Sequence, residues 1–370
     1  MSPDVSPNPN PDTSSGPPFG SVDGPVDGPV DGPVDNWVDG PAPVTARAYG
    51  KINAFLSVGP LEDDGYHSLV TVFQSLDLAE TVTLIPAAEH SVTLTGRYAD
   101  TTVPLDASNL GLAAVLALAE ATGVEVPVEV AIEKNVPVAG GMGGGSADAA
   151  AALVAYAHLV GCTDKELIHS VARELGADVP FALRGGTALG TGRGDELTPV
   201  LGRGEFHWVL ATSTGRLSTP EVYRRLDEIR AARGDAGPVT CGEHAGAGDG
   251  DRTGDVTGVG AHSAVDPAEV LRALGTADPE ALAGVLHNDM TEAAIDLLPG
   301  IADIMETGVR AGALRALVSG SGPTVGFLAR DHTHALEIAV LLEASRGVRQ
   351  VVRTTGPAGG AHLVPPPAAA

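Results

Sequence analysis

The sequence is sparing with residues that would make several function classes easy to argue. Its two cysteines, Cys162 and Cys241, are too few for a disulfide framework or a zinc site, and a reducing cytosol is their natural setting. Aromatic residues make up only 4% of the chain, so a core has to rest on Ala, Val and Leu, which the 43% hydrophobic fraction can supply. No apolar run approaches the roughly 18 residues that a membrane span needs, and the N-terminus lacks the basic and apolar regions of a secretory leader. The expectation is a soluble, cytoplasmic protein. Positive charge is also scarce: the formal net charge is −25, of which −7 falls in residues 1–43, −3 in residues 231–262 and −15 elsewhere. General affinity for nucleic acid or an anionic membrane is therefore excluded, and any phosphate ligand must be held by local N–H groups, a few cations and a metal ion. Lysine is the rarest cation, with three copies beside nineteen arginines.

What the chain has in abundance is glycine, and one stretch of it organises the rest. Residues 137–146 read Pro-Val-Ala-Gly-Gly-Met-Gly-Gly-Gly-Ser, between an alternating apolar run (Val126 to Lys134) and an alanine-rich run (Ala147 to Leu159). The order is strand, glycine loop, helix. Glycine loses much backbone freedom on ordering, so such a cluster suits a main chain that turns tightly and approaches a ligand. A loop feeding a helix start aims free N–H groups and the positive end of the helix dipole at one spot, which favours phosphate. A P-loop is excluded, because Gly145 is followed by Ser146 and Ala147 with no lysine. The dinucleotide fingerprint fits poorly too, since its last glycine position is Ser146. A flexible linker does not belong between strand and helix patterns. The loop's geometry is best matched by an anion cradle, with a nucleotide triphosphate the leading ligand.

Around this loop the pattern is mixed. Residues 1–43, with Val-Asp-Gly-Pro repeated from Val22 to Pro33, form an extended acidic tail outside the fold. Residues 231–262 read as a disordered surface insert. Strands are expected over Thr45 to Val58, Leu69 to Leu78, Thr81 to Ile85, Val92 to Leu94, Val126 to Lys134, Phe181 to Leu189, Phe206 to Thr212, Leu314 to Val318, Thr324 to Leu328 and Val348 to Arg353. Helices start after Asn109, after the glycine loop and at Asp164, Thr219, Pro267, Pro279, Met290, Ile301 and Thr333. The fold class is α+β, with a first domain over 44–200, a second over 201–356 and a C-terminal tail over 357–370.

Several side chains are candidates for chemistry. In a chain that otherwise takes arginine for positive charge, Lys51 inside an apolar strand suggests a compact ammonium placed for an oxygen; the alternative is a strand-end lysine with its head in water. Asn53 shares its face. Asp178, between Gly176-Ala177 and Val179-Pro180, can serve as a general base held ionised by a cation, with Lys51 the candidate; otherwise it forms an Asx-turn or cap. Ser146 is a helix cap, a phosphate or magnesium contact, or both. Asp148 competes as a base, but the helix dipole favours an acid there for structural reasons. Tyr66 and His67 follow the turn Glu62 to Gly65 and can stack on a base or hydrogen-bond a ring. Phe73 and Tyr223 are either aromatic-pocket or core residues. The small-residue turn Ser319-Gly-Ser-Gly-Pro323 suits a backbone approached by a ligand.

Three motifs in this order, Ala48-Tyr-Gly-Lys-Ile-Asn-Ala-Phe-Leu56, Pro137 to Ala147 and Val318 to Pro323, resemble the GHMP kinase superfamily from about Ala46 to Arg353. Asp64-Gly-Tyr-His67 and Gly176-Ala-Asp-Val-Pro180 resemble its branch that acts on a cytidine-diphosphate-linked methylerythritol. The resemblance implies a two-lobed kinase fold with ATP, Mg²⁺ and a small-molecule acceptor in the cleft. It implies Lys51 and Asp178 as the catalytic pair, and Pro137, Val138, Ala139, Gly140, Gly141, Met142, Gly143, Gly144, Gly145, Ser146 and Ala147 as the ATP loop. Asn53, Tyr66, His67, Phe73 and Tyr223 are implied as acceptor contacts, and no protein side chain is assigned as a metal ligand. Kinases of the same superfamily acting on mevalonate, homoserine or a sugar, and a catalytically silent nucleotide-binding protein, are the alternatives.

Overall fold

The computed structural model describes residues 41–138, 140–234 and 266–365, so the tail up to residue 40, Ala139 and most of the insert lie outside the described residues. The first half comprises β1 (Val44–Leu61), β2 (His67–Pro86), β3 (Ser91–Thr95), α1 (Leu110–Thr122), β4 (Val128–Glu133), α2 (Gly144–Leu159), α3 (Lys165–Leu175), α4 (Val179–Arg184), β5 (Thr187–Thr191) and β6 (Glu196–Pro199). The second comprises β7 (Phe206–Ser213), α5 (Thr219–Arg233), α6 (Pro267–Thr276), α7 (Pro279–Ala283), β8 (His287–Asn288), α8 (Thr291–Leu297), α9 (Gly300–Arg310), β9 (Arg315–Val318), β10 (Val325–Ala329), α10 (His332–Glu343), β11 (Val348–Gly356) and β12 (His362–Leu363). One sheet runs β12-β1-β2-β4-β3, with β5 on β2 and β8 on β1; the other is an antiparallel β11-β7-β10-β9.

Two features of β1 and β2 set the site. They pair along nearly their whole length, and the expected break between Leu78 and Thr81 is absent: β2 is one strand, because Asp77-Leu-Ala-Glu80 contains no glycine or proline to end it. The interruption read at Gly50-Lys51 is a register shift between Tyr49 and Lys51, which re-aims the side chains that follow. Helix α1 starts where Asn109 predicts: its Oδ1 accepts from the Gly111 amide at 2.9 Å, and the helix ends at left-handed Gly123. Helix α2 is buried over most of its circumference, which its run of alanines permits by letting neighbouring backbones come close.

Four expectations change. The strand expected at Phe181 is helix α4, since Pro180 suits a first helical turn and Gly185 ends it before β5. Residues 231–233 complete α5 and do not belong to the insert. Of the expected C-terminal tail, residues 357–365 are not free, since β12 pairs antiparallel with Ala46 and Arg47, and residues 366–370 lie outside the described residues. The boundary at residue 200 separates neither the sheets nor the core, since β8 and β12 join the first sheet and Ile52, Phe55 and Val72 pack with Phe206, Trp208 and Leu274. Trp208 Nε1 donates to Gln74 Oε1 at 2.9 Å across that junction.

Candidate active site

The glycine loop is shaped by positions only glycine fills cheaply. Gly141 and Gly143 have φ of +71° and +69°, in the left-handed region. A Cβ on Gly141 would lie 2.2 Å from the Ser319 carbonyl oxygen, so the loop rests directly on the second small-residue turn. Ser319 Oγ donates to the Gly141 carbonyl at 3.1 Å, and the Lys51 amide donates to the Met142 carbonyl at 2.9 Å. The residue preceding α2 is Gly143; Ser146 is the third helical residue and makes no cap, contrary to the capping expectation. Its place on the first turn opens it to the neighbouring cavity, beside the amides that helix geometry leaves without partners.

That cavity, about 940 Å³, is lined by Lys51, Asn53, Tyr66, His67, Phe73, Gly141, Gly143, Ser146, Asp178 and Tyr223. The structure thus brings both expected catalytic side chains, all five expected acceptor contacts and three loop residues, Gly141, Gly143 and Ser146, to one space, while Gly144 and Gly145 line neither cavity. Pro137, Val138 and Gly140 instead line a smaller cavity of about 90 Å³ beside the first half of the loop. Met142 and Ala147 are buried and act in packing.

Lys51 is not a strand-end lysine. It is 7% exposed, its Nζ donates to Asn53 Oδ1 at 2.8 Å and lies 3.3 Å from Asp178 Oδ2. Asn53 is fixed in turn by donating to Thr71 Oγ1 at 2.8 Å, and Thr71 donates to the Phe55 carbonyl at 2.7 Å. Asp178 stands at the cap position of α4, yet its side chain makes no cap bond and stays available to the cavity. A Cβ on Gly143 would come 3.2 Å from Lys51 Cγ and 3.9 Å from Asp178 Oδ2, so the loop reaches the pair. Phe73 forms the apolar wall behind them, stacked on Phe181 with the Lys51 ammonium 5.5 Å from its ring centre.

At the cavity mouth Tyr66 is 54% exposed, with the Arg193 guanidinium 3.8 Å from its ring centre. Asp64 joins Arg193 at 2.9 Å; the Tyr66 amide, then the guanidinium, hold its carboxyl below the usual range. His67 stacks on Tyr223 with ring centres 5.0 Å apart, Nδ1 at 2.9 Å from the Gly59 carbonyl and Nε2 at 3.3 Å from Asp227. Burial, and then the charge of Asp178, push the Tyr223 hydroxyl up to about 12, so it stays protonated next to that carboxylate.

Sequence reasoning missed Arg193 and Arg173 on the cavity wall, and it missed the partner of Asp148. Asp148 lies in the second turn of α2, beyond the dipole's reach, and is held at 2.6 Å by buried Lys134. The scarcity of lysine that singled out Lys51 applied equally to Lys134.

The chain matches the family models described as the GHMP kinases N terminal domain over residues 109–186 and the GHMP kinases C terminal over residues 270–344. It is 48% identical over 323 residues to a 4-diphosphocytidyl-2-C-methyl-D-erythritol kinase of Leifsonia xyli, covering 87% of this chain and 98% of that one. Against the protein of the same name from Nocardia farcinica it is 46% identical, covering 88% and 98%. A crystal structure of 4-(cytidine 5'-diphospho)-2C-methyl-D-erythritol kinase superposes with a TM-score of 0.63 at 28% identity, over 85% of this chain and all of that one. A homoserine kinase from Cytophaga hutchinsonii superposes with a TM-score of 0.64 at 16% identity, over 89% and 99%, a likeness of fold alone.

Proposed function

The chain belongs to the GHMP kinases, and from that footing we propose that it phosphorylates the 2-hydroxyl of 4-diphosphocytidyl-2-C-methyl-D-erythritol with ATP, a step of non-mevalonate isoprenoid precursor synthesis. The observation that carries the chemical part is the Lys51–Asp178 pair at 3.3 Å, on the same cavity as Gly141, Gly143 and Ser146. The loop would hold the triphosphate through Gly141, Gly143 and Ser146, which share their cavity with Asp178. The acceptor oxygen attacks phosphorus, the bond to the β-phosphate oxygen breaks and ADP leaves. Asp178 takes the hydroxyl proton, and Lys51, anchored by Asn53, orients the carboxylate and the alcohol. The loop amides stabilise the charge on the transferring group.

Among the described residues no three His, Cys, Asp or Glu side chains converge. The Ser146 hydroxyl on the cavity wall is nevertheless an oxygen that would suit Mg²⁺, which takes few protein oxygens when phosphates and water complete its shell. Bound there with ATP, Mg²⁺ would neutralise phosphate charge and polarise the γ-phosphoryl. The aromatic mouth formed by Tyr66, His67 and Tyr223 favours an acceptor carrying a base over mevalonate, homoserine or a bare sugar. Among the described residues no helix is long and apolar enough to cross a membrane, in keeping with a small-molecule enzyme of the cytoplasm.

The test is incubation with ATP, Mg²⁺ and the cytidine-diphosphate acceptor, followed by phosphorus NMR. A new phosphomonoester signal that requires the acceptor supports the proposal. Turnover of homoserine or mevalonate in its place removes the substrate assignment.

A further inference from the structure

Next to the glycine loop, and lining neither cavity, three ionisable side chains meet in the core. Lys134 Nζ lies 2.5 Å from Glu80 Oε1 and 2.6 Å from Asp148 Oδ2. Glu80, Lys134 and Asp148 are 0%, 2% and 3% exposed. A buried ion cluster is a poor way to gain stability, because desolvation of the charges offsets their attraction. Here it is also unbalanced, with two carboxyls for one ammonium, and Asp148 Oδ1 has no hydrogen-bond partner among the described residues. Burial raises both carboxyls, Glu80 further through the charge of Asp148, while the two carboxylates hold the Lys134 ammonium up against burial.

The placement suggests what the cluster is for. Lys134 is the residue after β4, three positions before the loop begins at Pro137, and Asp148 follows the loop on α2. Their ion pair therefore closes the neck of the loop. Glu80 staples the closure to the sheet: its Oε2 accepts from the Asn135 amide at 2.7 Å, and a Cβ on Gly144 would lie 3.1 Å from its Oε1. Glu80 thus touches the segment entering the loop and the first residue leaving it.

We propose that Glu80, Lys134 and Asp148 form a clasp that positions the glycine loop for the triphosphate, making them positioning residues for ATP that touch neither ligand. The clasp rests on the reading of the loop as the ATP site, and it acts by holding the amides of residues 141–146 at one spacing. Breaking it loosens the cradle and leaves Tyr66, Asn53 and the acceptor half of the cavity as they are.

The experiment compares wild type, Lys134→Met and Asp148→Ala by calorimetric titration with a non-hydrolysable ATP analogue and, separately, with the acceptor. The dissociation constant for the nucleotide should rise roughly tenfold or more, the scale on which small misplacements act, with that for the acceptor changed less than about twofold. Variants that melt earlier but bind nucleotide as wild type does, or that lose both ligands equally, overturn the clasp and leave a purely structural cluster. Should Lys134→Met fail to fold, Asp148→Ala alone decides, since it leaves the Lys134–Glu80 pair in place. A wild-type protein that binds acceptor but no nucleotide instead overturns the ATP reading on which the clasp rests.

Discussion

Lys51 Nζ lies 3.3 Å from Asp178 Oδ2, although the two come from opposite ends of the first half of the chain, on β1 and at the start of α4. The register shift after Tyr49 turns the ammonium toward the cavity, and the short helix after Asp178 leaves its carboxylate uncapped. Asp178→Asn keeps the shape and removes the proton acceptor, so kcat should fall by about 10²–10⁴-fold, the usual range for a lost general base, with nucleotide affinity retained. Wild-type turnover in that variant, measured by ADP release, would remove Asp178 from the base role.

Gly141→Ala tests the loop geometry. The substitution puts a side chain at φ +71° and a Cβ 2.2 Å from the Ser319 carbonyl oxygen, and because that atom is backbone the two turns must move apart. Nucleotide binding should weaken by at least about tenfold, equivalent to roughly 1.4 kcal/mol, with the acceptor affected less. Gly123→Ala, at the end of α1 and on neither cavity, is the control: its φ is +68° but nothing lies within 4 Å of its Cβ, so it should cost stability alone. Equal nucleotide affinities in the two variants would separate the loop from the triphosphate.

Most of the site was readable in the sequence because its parts are local: a glycine loop between strand and helix, a rare lysine in a strand, Asp-Gly-Tyr-His after a turn. What was not readable depends on long-range pairing. The helix at Val179 looked like a strand because six apolar-rich residues carry too little period to decide, and only Pro180 and Gly185 mark its ends. Ser146 looked like a cap because the loop's exit into α2 is fixed by contacts with Lys51 and Ser319, not by local propensity. Glu80, Lys134 and Asp148 are charged residues in three separate segments, and only the sheet and α2 bring them together. Arg193 lies in a Gly192-Arg193-Gly194 turn whose position over Tyr66 requires β5 to pair with β2.

Tyr66 offers an exposed ring face at the cavity mouth, and the guanidinium of Arg193 already covers one side of it. A cytosine stacking there gains about 1–3 kcal/mol, the range measured for bases on aromatic side chains. Tyr66→Ala should therefore raise KM for the cytidine-diphosphate acceptor by roughly tenfold or more while KM for ATP stays constant. A change confined to ATP would place the base elsewhere.

The Glu80 and Asp148 carboxyls make a distinct prediction about stability and pH. Burial, then the Asp148 charge, raises Glu80 from 4.5 to about 7, and burial raises Asp148 from 3.8 to about 6. The folded chain thus keeps protons that the unfolded chain has released, so stability from these groups is fully present below their unfolded values and is lost as pH rises through about 7. Carboxyls held low, such as Asp64 and Asp100, work in the opposite direction, so the net slope of the wild type alone is uninformative. The difference between wild type and Glu80→Gln isolates the effect, because the amide keeps the shape and does not titrate. Melting temperatures measured from pH 4.5 to 8 should move in favour of the variant as pH rises, with the change concentrated below about pH 7. A difference independent of pH would mean that Glu80 is ionised throughout and balanced by Lys134, with Asp148 carrying the proton alone.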